Sequence, residues 1–559
     1  MSDSPARQAG HGAPSGRFGR ATRLFVVGVC LVALGAAVGL LVVRSEPSPG
    51  ADRPVHSRVR TFLGSNGIES TAMIAQNKLP GTTAWEISGH QSPGYIEGFA
   101  GLNYAEVGDR VGLYVSTSAM SFRVTAYRMG YYDGKGGHEV WRSGVIGGHA
   151  QPSCRLTAGI NMVSCADWHR SLVMPITRAF YQGDYLLKLV GSGNQQAYVL
   201  LTVWNPSSSA AYLFMSRSLT EQGWNTFGGY SFYQGEGSCA PGIPTYPVCN
   251  RARVVSFDRP YAEGEGASDF LSNEYPLLRL MEKDGLDVAY CTDITVDEHP
   301  LIPVHHKSLL SLGHDETWTY PELHGAEVAL AHGVNIAFMS AAAIVRHARL
   351  EPSPLGPDRE AVDYRDSDED PLNGHANPNE VTGNTWASPP TDWNSTPFIG
   401  ELYSGYLLPS AAPTPFVVHD AKAWIFKGTG LHNGSVVPRV IDSDIDHIDP
   451  AYGTPSNVEV LGHSPVPLNV SYTNQGEWNG DTYSDMTYYT DPMSRAGVFD
   501  SGNVNWIDAM LPCPKGVTVC PDQTVQKITE NLLWLFGQGP SGRLIPSSPN
   551  WKSVTPQGS

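Results

Sequence analysis

The stretch SLLSLGHDETWTYPELHGAEVALAHGVNIAFMSAAA, residues 308–343, decides the predicted fold. It reads as a strand, a turn, a helix and a second strand, because SLLSL is a short apolar run and residues 319–322 have the spacing of a helix capping box. In open parallel sheets, ligands bind beyond the carboxyl ends of the strands, which is where residues 313–316 fall. We therefore expect His314 and Glu316 at the rim of such a sheet.

The segments on either side of this stretch alternate in the same way. An apolar strand at 210–217 and a helix at 273–285 come before it, and a helix near 525–536 closes the region. This alternation is typical of βαβ units. We predict an α/β fold for residues 206–540, with a doubly wound, mostly parallel sheet of the glutamine-amidotransferase or flavodoxin type, followed by a flexible tail at 541–559.

Residues 76–205 have a different pattern. Apolar and polar side chains alternate in several runs, which are separated by turns rich in Gly, Asn and Pro. No segment of helix length interrupts these runs. The spacing predicts an all-β sandwich that precedes the α/β domain.

The N-terminal region contains twenty uncharged residues at 24–43, about the length that a helix needs to cross a bilayer. No convincing cleavage site follows them. We predict an uncleaved transmembrane anchor, with residues 1–23 in the cytoplasm and a polar linker at 44–75. The expected location is the cell membrane, with a single pass and the bulk of the chain extracytoplasmic.

Six of the eight cysteines form three closely spaced pairs in regions rich in Gly and Pro. This pattern suits disulfides in an oxidising compartment, whereas the spacings expected of a cysteine metal site are missing. We predict three disulfides, which also support the outward orientation of the chain. They are Cys154 with Cys165, Cys239 with Cys249, and Cys513 with Cys520.

The formal charge of the chain at pH 7 is −17. Nucleic-acid binding needs a basic surface, and no Lys or Arg stripe interleaved with aromatic residues is present. The sequence therefore argues against nucleic acid as a partner.

Several longer motifs together resemble the N,N-dimethylformamidase large (beta) subunit-like family, over about residues 76–540. The motifs that carry the resemblance are NKLPGTTAWEI, YRMGYYDGKGG, WNTFGGYSFY, VVSFDRPY, EYPLLRLMEKDGLDVAYCTD, HKSLLSLGHDETW and MTYYTDPMSRAGVFDSGNVNW. The resemblance implies a mononuclear iron amidohydrolase, in which two tyrosines and the glutamate of a His-x-Glu turn hold the metal.

Carried over to this chain, the resemblance makes Glu316 the metal carboxylate and His314 a nearby acid/base or orienting group. Tyr233 and Tyr261 are the tyrosines that could serve as phenolate ligands. Asp444 falls where a family segment carries a glutamate near the site, so it is a candidate second carboxylate. Iron is the implied cofactor.

The chain also departs from the family pattern. Trp224 stands where one phenolate ligand is expected, and Arg253 stands near the expected position of the other. Indole has no lone pair to give to a metal, so the substitution at Trp224 removes a ligand. A ferric site with one carboxylate and no phenolate would hold iron poorly.

Two functions remain open from the sequence. The first is a membrane-anchored, metal-dependent hydrolase of the C–N bond of a small linear amide, with altered metal ligands. The second is a non-catalytic cell-envelope protein that keeps the fold and binds a glycan. The expected ligand is accordingly a small amide or a glycan.

Overall fold

The chain divides into two units, Met1–Ser57 and Arg58–Ser559. The computed structural model describes only residues of the second unit. The described ranges are 59–89, 94–236, 250–375, 377–467, 471–473, 482–513 and 520–555.

The first half of this unit is built from strands and one short helix. A hairpin of two strands leads into helix α1 (Thr71–Gln76), whose N-cap is Ser70. The strands in chain order are β1 (Thr61–Leu63), β2 (Ile68–Ser70), β3 (Ile96–Ala100), β4 (Tyr104–Ala105), β5 (Arg110–Thr117), β6 (Ser121–Met129), β7 (Gly137–Arg142), β8 (Ile146–Gly147), β9 (Arg155–Thr157), β10 (Met162–Ser164), β11 (Leu172–Pro175), β12 (Gly183–Gly191) and β13 (Gln196–Val203).

Two sheets enclose a common core in this half. One has the strand order β11-β5-β3, and the other has the order β4-β13-β12-β6-β7, with β8 paired to β6. In β5, Val111, Leu113 and Val115 are buried while the residues between them are more exposed. This two-residue period turns one face of the strand to the core, where side chains of β12 and β13 pack against it.

The second half contains sixteen strands and seven helices among the described residues. The strands are β14 (Tyr212–Ser216), β15 (Val254–Ser256), β16 (Val288–Thr292), β17 (Ser308–Gly313), β18 (Thr317–Thr319), β19 (Asn335–Ser340), β20 (Arg346–Ser353), β21 (Gly356–Val362), β22 (Leu402–Leu407), β23 (Thr414–Val417), β24 (Val436–Ile441), β25 (Asp444–His447), β26 (Glu459–Val466), β27 (Ser471–Thr473), β28 (Thr482–Thr490) and β29 (Gly497–Asp500). The helices are α2 (Ser218–Trp224), α3 (Phe270–Asn273), α4 (Tyr275–Lys283), α5 (Asp293–Glu298), α6 (Tyr320–Ala331), α7 (Thr396–Ile399) and α8 (Asp522–Phe536).

A seven-stranded sheet organises this half, with the order β16-β14-β17-β19-β29-β28-β26. The first five strands are mutually parallel, and β28 and β26 continue the sheet in the antiparallel sense. Tyr212 and Phe214 of β14 belong to one hydrophobic cluster, and Leu213 and Met215 belong to another. Both faces of this strand are therefore buried.

The prediction of a doubly wound, parallel α/β fold is wrong for this chain. The described residues form eight sheets and are much richer in strand than in helix, and the parallel strands belong to a mixed sheet. The strand and helix alternation that the sequence shows up to β19 does not continue. Among the described residues from β20 to β29 the chain adds ten strands and only one α-helix, α7, which has four residues.

The predicted membrane anchor and single-pass location are not supported. In the described part of the chain, no helix is long and apolar enough to cross a membrane. The longest, α8, has 15 residues, about 22 Å at 1.5 Å per residue, whereas the hydrocarbon core is about 30 Å thick. Residues 24–43, on which the predicted span falls, lie outside the described residues.

Two of the predicted cysteine pairs are disulfide-bonded in the structure. Cys154 is joined to Cys165, and Cys513 is joined to Cys520. Cys239 and Cys249 lie outside the described residues. Cys291 is free and buried on β16.

Candidate active site

The centre of the site is the turn that follows β17. Gly313 has φ +55°, and a Cβ atom at this position would come within 2.7 Å of the Asn273 side chain, so the backbone here requires glycine. Asp315, which is fully buried, accepts a hydrogen bond from Oγ of Ser311 at 2.7 Å. The capping box predicted at the start of α6 is present, and it fixes where the turn ends. The turn therefore holds His314 and Glu316 at the carboxyl end of a parallel strand.

The Glu316 carboxylate is almost completely buried and has three donors from different parts of the chain. Tyr233 donates its phenolic O–H to Oε2, and Trp224 donates its indole N–H to the same oxygen at 3.2 Å. Arg346, the first residue of β20, donates from Nε to Oε1 at 3.3 Å. Each carboxylate oxygen is thus hydrogen-bonded, as a buried charge requires.

This environment keeps Glu316 ionised. Burial alone raises the pKa of Glu316, but the charges of His314 and Arg346 outweigh burial and hold the pKa below its usual range. The pKa of Tyr233 is raised well above its usual value, because the ring is buried and its hydroxyl lies against the Glu316 charge. Tyr233 is therefore a neutral phenol that donates to a carboxylate.

His314 lies between two carboxylates. Its Nε2 is 3.5 Å from Oε2 of Glu316 and 3.7 Å from Oδ2 of Asp444. Nε2 is buried and has no hydrogen-bond partner within the described ranges. Asp444 begins β25, and its Oδ1 accepts the phenolic O–H of Tyr403 at 2.6 Å. The two acids flank an imidazole that is still free to accept or donate one hydrogen bond.

His314 is one of the residues that line a cavity of about 310 Å³. Arg217 lies at its wall and donates from Nη1 to the backbone carbonyl of His314 at 3.1 Å. Trp224 also lines it and stacks on Tyr233, with ring centroids 3.7 Å apart and planes 9° apart. The further side chains that line this cavity are Thr220, Glu221, Thr226, Glu263, Ser268, Asp269, Ser443 and Asp444.

The structure brings together four of the residues that the sequence singled out: His314, Glu316, Asp444 and Tyr233. Tyr261 is placed elsewhere, since it lines a separate cavity of about 80 Å³ together with Arg259 and Glu274.

Sequence reasoning missed Arg346 and Tyr403. Arg346 is thirty residues from Glu316, and Tyr403 is forty-one residues from Asp444. No local sequence motif predicts either contact, because each one forms only when strands that are distant along the chain meet at the rim of the sheet.

The donor set does not fit the iron that the family resemblance implied. The Trp224 indole directs an N–H, not a lone pair, at the Glu316 oxygen that would bind the metal. The guanidinium of Arg346 already neutralises this carboxylate, and Arg365 lies 4.9 Å from the centre of the Tyr233 ring. Among the residues that the structure describes, no three His, Cys, Asp or Glu side chains are close enough to hold a metal ion. Two guanidinium groups therefore lie beside the Glu316 and Tyr233 side chains.

Comparison with known proteins gives one informative result. No curated protein matches the chain at a significant level. The profile of one protein family matches residues 123–518, which is more than two thirds of the 559 residues. The matched range includes the turn after β17 and the parallel strands. Of the two sheets that precede them, it covers most of the larger one but only β11 of the three-stranded one. The chain therefore belongs to the N,N-dimethylformamidase beta subunit-like, C-terminal family.

Proposed function

We propose that this protein hydrolyses the C–N bond of a small linear amide by acid–base catalysis at His314, with no metal taking part. The observation that carries the proposal is the position of His314 Nε2, which lies 3.5 Å and 3.7 Å from two carboxylates at the wall of a cavity. Histidine is the side chain that most often moves protons in enzymes near neutral pH.

In the proposed reaction, a water molecule attacks the amide carbonyl carbon while Nε2 of His314 takes one of its protons. The resulting imidazolium is stabilised by the charges of Glu316 and Asp444. It then returns the proton to the amide nitrogen, the C–N bond breaks, and the electron pair of that bond leaves with the nitrogen. The products are a carboxylic acid and an amine, so one water is consumed for each bond cleaved.

Negative charge develops on the carbonyl oxygen during the attack. Arg217 is the residue at the cavity wall that carries a permanent positive charge, and it is only 2% exposed. A buried cation stabilises such a charge more strongly than an exposed one, because little water screens it. We assign Arg217 to this role.

Tyr233, Trp224 and Arg346 all donate to Glu316 in this proposal, and Tyr233 and Arg346 do not contact the substrate. Their three hydrogen bonds fix the carboxylate on one side of the imidazole. Tyr403 does the same for Asp444 on the other side. They are positioning residues, and their loss should disturb the orientation of His314.

A second function, ligand binding without catalysis, is favoured by one observation. The Trp224 side chain is 41% exposed at the cavity, and an aromatic ring in this position suits stacking on a flat ligand or a sugar ring. A glycan-binding protein would use this ring and would leave amides intact.

The test is amine release from a panel of small aliphatic amides by the purified full chain, with metal analysis of the same sample. We expect turnover that survives chelation and that falls at least about 100-fold in His314→Gln. His332→Gln is the matched control, since His332 is exposed at the end of α6. Full activity in His314→Gln, or one bound iron per chain whose removal abolishes turnover, contradicts the proposal. Binding of oligosaccharides with no amide cleavage supports the second function instead.

A further inference from the structure

The cavity beside His314 carries an excess of negative charge. Four acidic side chains line it, those of Glu221, Glu263, Asp269 and Asp444, against the single guanidinium of Arg217. Burial raises the pKa of Glu221 to about 8, so the excess comes from the other three. Arg217 is already paired within this group, with Nη2 2.8 Å from Oε1 of Glu221 and 3.9 Å from Oδ2 of Asp269. Its charge therefore does not balance the remaining acids.

Two of these carboxylates keep an oxygen available for a ligand. Glu263 accepts the hydroxyl and the backbone N–H of Thr226 at Oε1, while its buried Oε2 has no hydrogen-bond partner in the part of the chain that is described. Asp444 accepts Tyr403 at Oδ1, and its Oδ2 accepts Ser443 at 3.2 Å with room for a further donor. The residues around these two acids supply few donors, so a ligand that brings N–H groups would complete the site.

The same cavity presents a rigid aromatic surface. One face of the Trp224 ring is covered by Tyr233, so the exposed 41% of this side chain belongs to its edge and its other face. The hydrogen bond from Nε1 to Glu316 fixes the orientation of the ring. Tryptophan is the best aromatic partner for a cation, because the face of its ring is electron-rich.

We infer that this cavity accepts an organic cation, and that the substrate is an amide which also carries a protonated amine. The ammonium group contacts the open face of Trp224 and donates to Glu263 and Asp444, while the amide carbonyl lies against His314. A neutral or anionic amide of the same size would leave the acids without a partner. This inference names the substrate class of the site and rests on the proposed amide hydrolysis.

A cavity of about 310 Å³ is at the small end of the usual range for ligand sites, which fits a small ligand. Three amides of equal length provide the test: 6-aminohexanamide, which is a cation, heptanamide, which is neutral, and adipamic acid, which is an anion. Binding is measured by calorimetry on the full chain carrying His314→Gln, so that bound amide is not consumed. We expect the cation to bind at least about ten-fold more tightly than the neutral amide.

Two variants test the assigned contacts. Glu263→Gln should reduce the preference for the cation over heptanamide roughly ten-fold. Glu265→Gln removes the same charge two residues away, in a side chain that lines a different cavity, and should leave the preference unchanged. Equal affinity for the three amides, or equal effects of the two variants, would overturn the inference. Competition by calcium as strong as that by 6-aminohexanamide would also overturn it, because the aromatic face has no role for an inorganic cation.

The binding result separates this inference from the proposed function. If 6-aminohexanamide binds preferentially and the wild-type chain never cleaves it, the ligand class stands and the hydrolase proposal fails. If amides are cleaved with no preference for the cation, the hydrolase proposal stands and this inference fails.

Discussion

Arg346 lies against the carboxylate of Glu316, with Nε 3.3 Å from Oε1, and both side chains are largely buried. The same guanidinium donates to the backbone carbonyl of Asn384 and, at 3.3 Å, to its side-chain oxygen. Arg346 thus ties the turn after β17 to a loop that lies thirty-eight residues beyond Arg346 itself. It also places a permanent positive charge next to Glu316, the carboxylate that lies beside His314.

The first prediction concerns this pair. In Arg346→Met the Glu316 carboxylate loses its guanidinium partner, so the pKa of Glu316 should rise. A carboxylate whose folded pKa is depressed contributes stability that is lost as pH falls through that pKa. We therefore expect the variant to be less stable than the wild type near neutral pH and to lose less of its free energy of unfolding than the wild type as pH falls towards 3. The measurement is chemical denaturation at a series of pH values between 3 and 7.

Arg346→Lys is the matched control for this variant, because it keeps the positive charge and loses the planar guanidinium. Its stability profile should resemble that of the wild type more closely than that of Arg346→Met. Identical profiles for Arg346→Met and the wild type would show that the guanidinium does not stabilise the Glu316 charge.

The second prediction concerns a buried ion pair that joins β6 to α4. Arg128 binds Glu282 with Nη2 2.5 Å from Oε1 and Nη1 3.0 Å from Oε2, and neither side chain is exposed. Tyr290 also donates to this carboxylate, at 2.7 Å. Glu282→Gln leaves a buried guanidinium with a neutral partner, so we expect a loss of about 3–5 kcal/mol in the free energy of unfolding.

Two comparisons make this prediction specific. Replacing both residues, in Arg128→Met with Glu282→Leu, removes the uncompensated charge and should recover most of the loss. Glu139→Gln breaks a half-exposed pair with Arg142, whose atoms are 2.6 Å apart, and should change stability by less than about 1 kcal/mol. Equal effects of Glu282→Gln and Glu139→Gln would contradict the prediction.

The sequence predicted the local features of the site and missed the long-range ones. The turn at 313–316 could be found because a short apolar strand and a capping box are both local patterns. The contact of Tyr233 with Glu316 was suggested only by the family resemblance. Arg346 could not be found, because its role depends on the pairing of β18 with β20.

The error in fold class has a similar cause. Strands and helices alternate along the chain between β14 and β19. The predicted α/β fold requires this alternation to continue to residue 540, and after β19 it does not. The antiparallel strands β26 and β28 join the same sheet as β17, although a long loop-rich segment separates them along the chain. Sheet membership of this kind is decided by packing between distant segments, which hydrophobic periodicity does not record.

The third prediction is a pH dependence that arises from Asp184. This residue of β12 is 3% exposed, and its Oδ1 accepts the hydroxyl of Thr202 at 2.6 Å. Burial raises the pKa of Asp184 to about 7, whereas the unfolded value is about 4. The folded state therefore binds more protons than the unfolded state between these two pH values, so its stability falls as pH rises from about 4 to about 7.

Asp184→Asn removes this titration and should keep an amide oxygen for Thr202. We expect the variant to be more stable than the wild type at pH 8 and to lose this advantage at pH 4.5, as measured by chemical denaturation. Asp167→Asn is the control, since the Asp167 side chain is 69% exposed and should show no such dependence. A stabilisation that is the same at both pH values would exclude titration of Asp184 as the cause.

The fourth prediction concerns the disulfide between Cys154 and Cys165, which closes a loop with a sequence separation of 11. Cys165 is fully buried and packs with Phe99 and Trp168, so the bond also secures a small hydrophobic cluster at the edge of the first two sheets. A disulfide stabilises mainly by restricting the unfolded chain, and a loop of this size is worth about 2–3 kcal/mol. Replacing both cysteines by serine should lower the free energy of unfolding by about this amount, measured under non-reducing conditions.

The disulfide between Cys513 and Cys520 closes a shorter loop, with a sequence separation of 7. Replacing both of these cysteines by serine should therefore lower the free energy of unfolding by less, with a difference of a few tenths of a kcal/mol. If the serine variant at Cys154 and Cys165 unfolds with the wild-type free energy, these two thiols are not bonded in the protein.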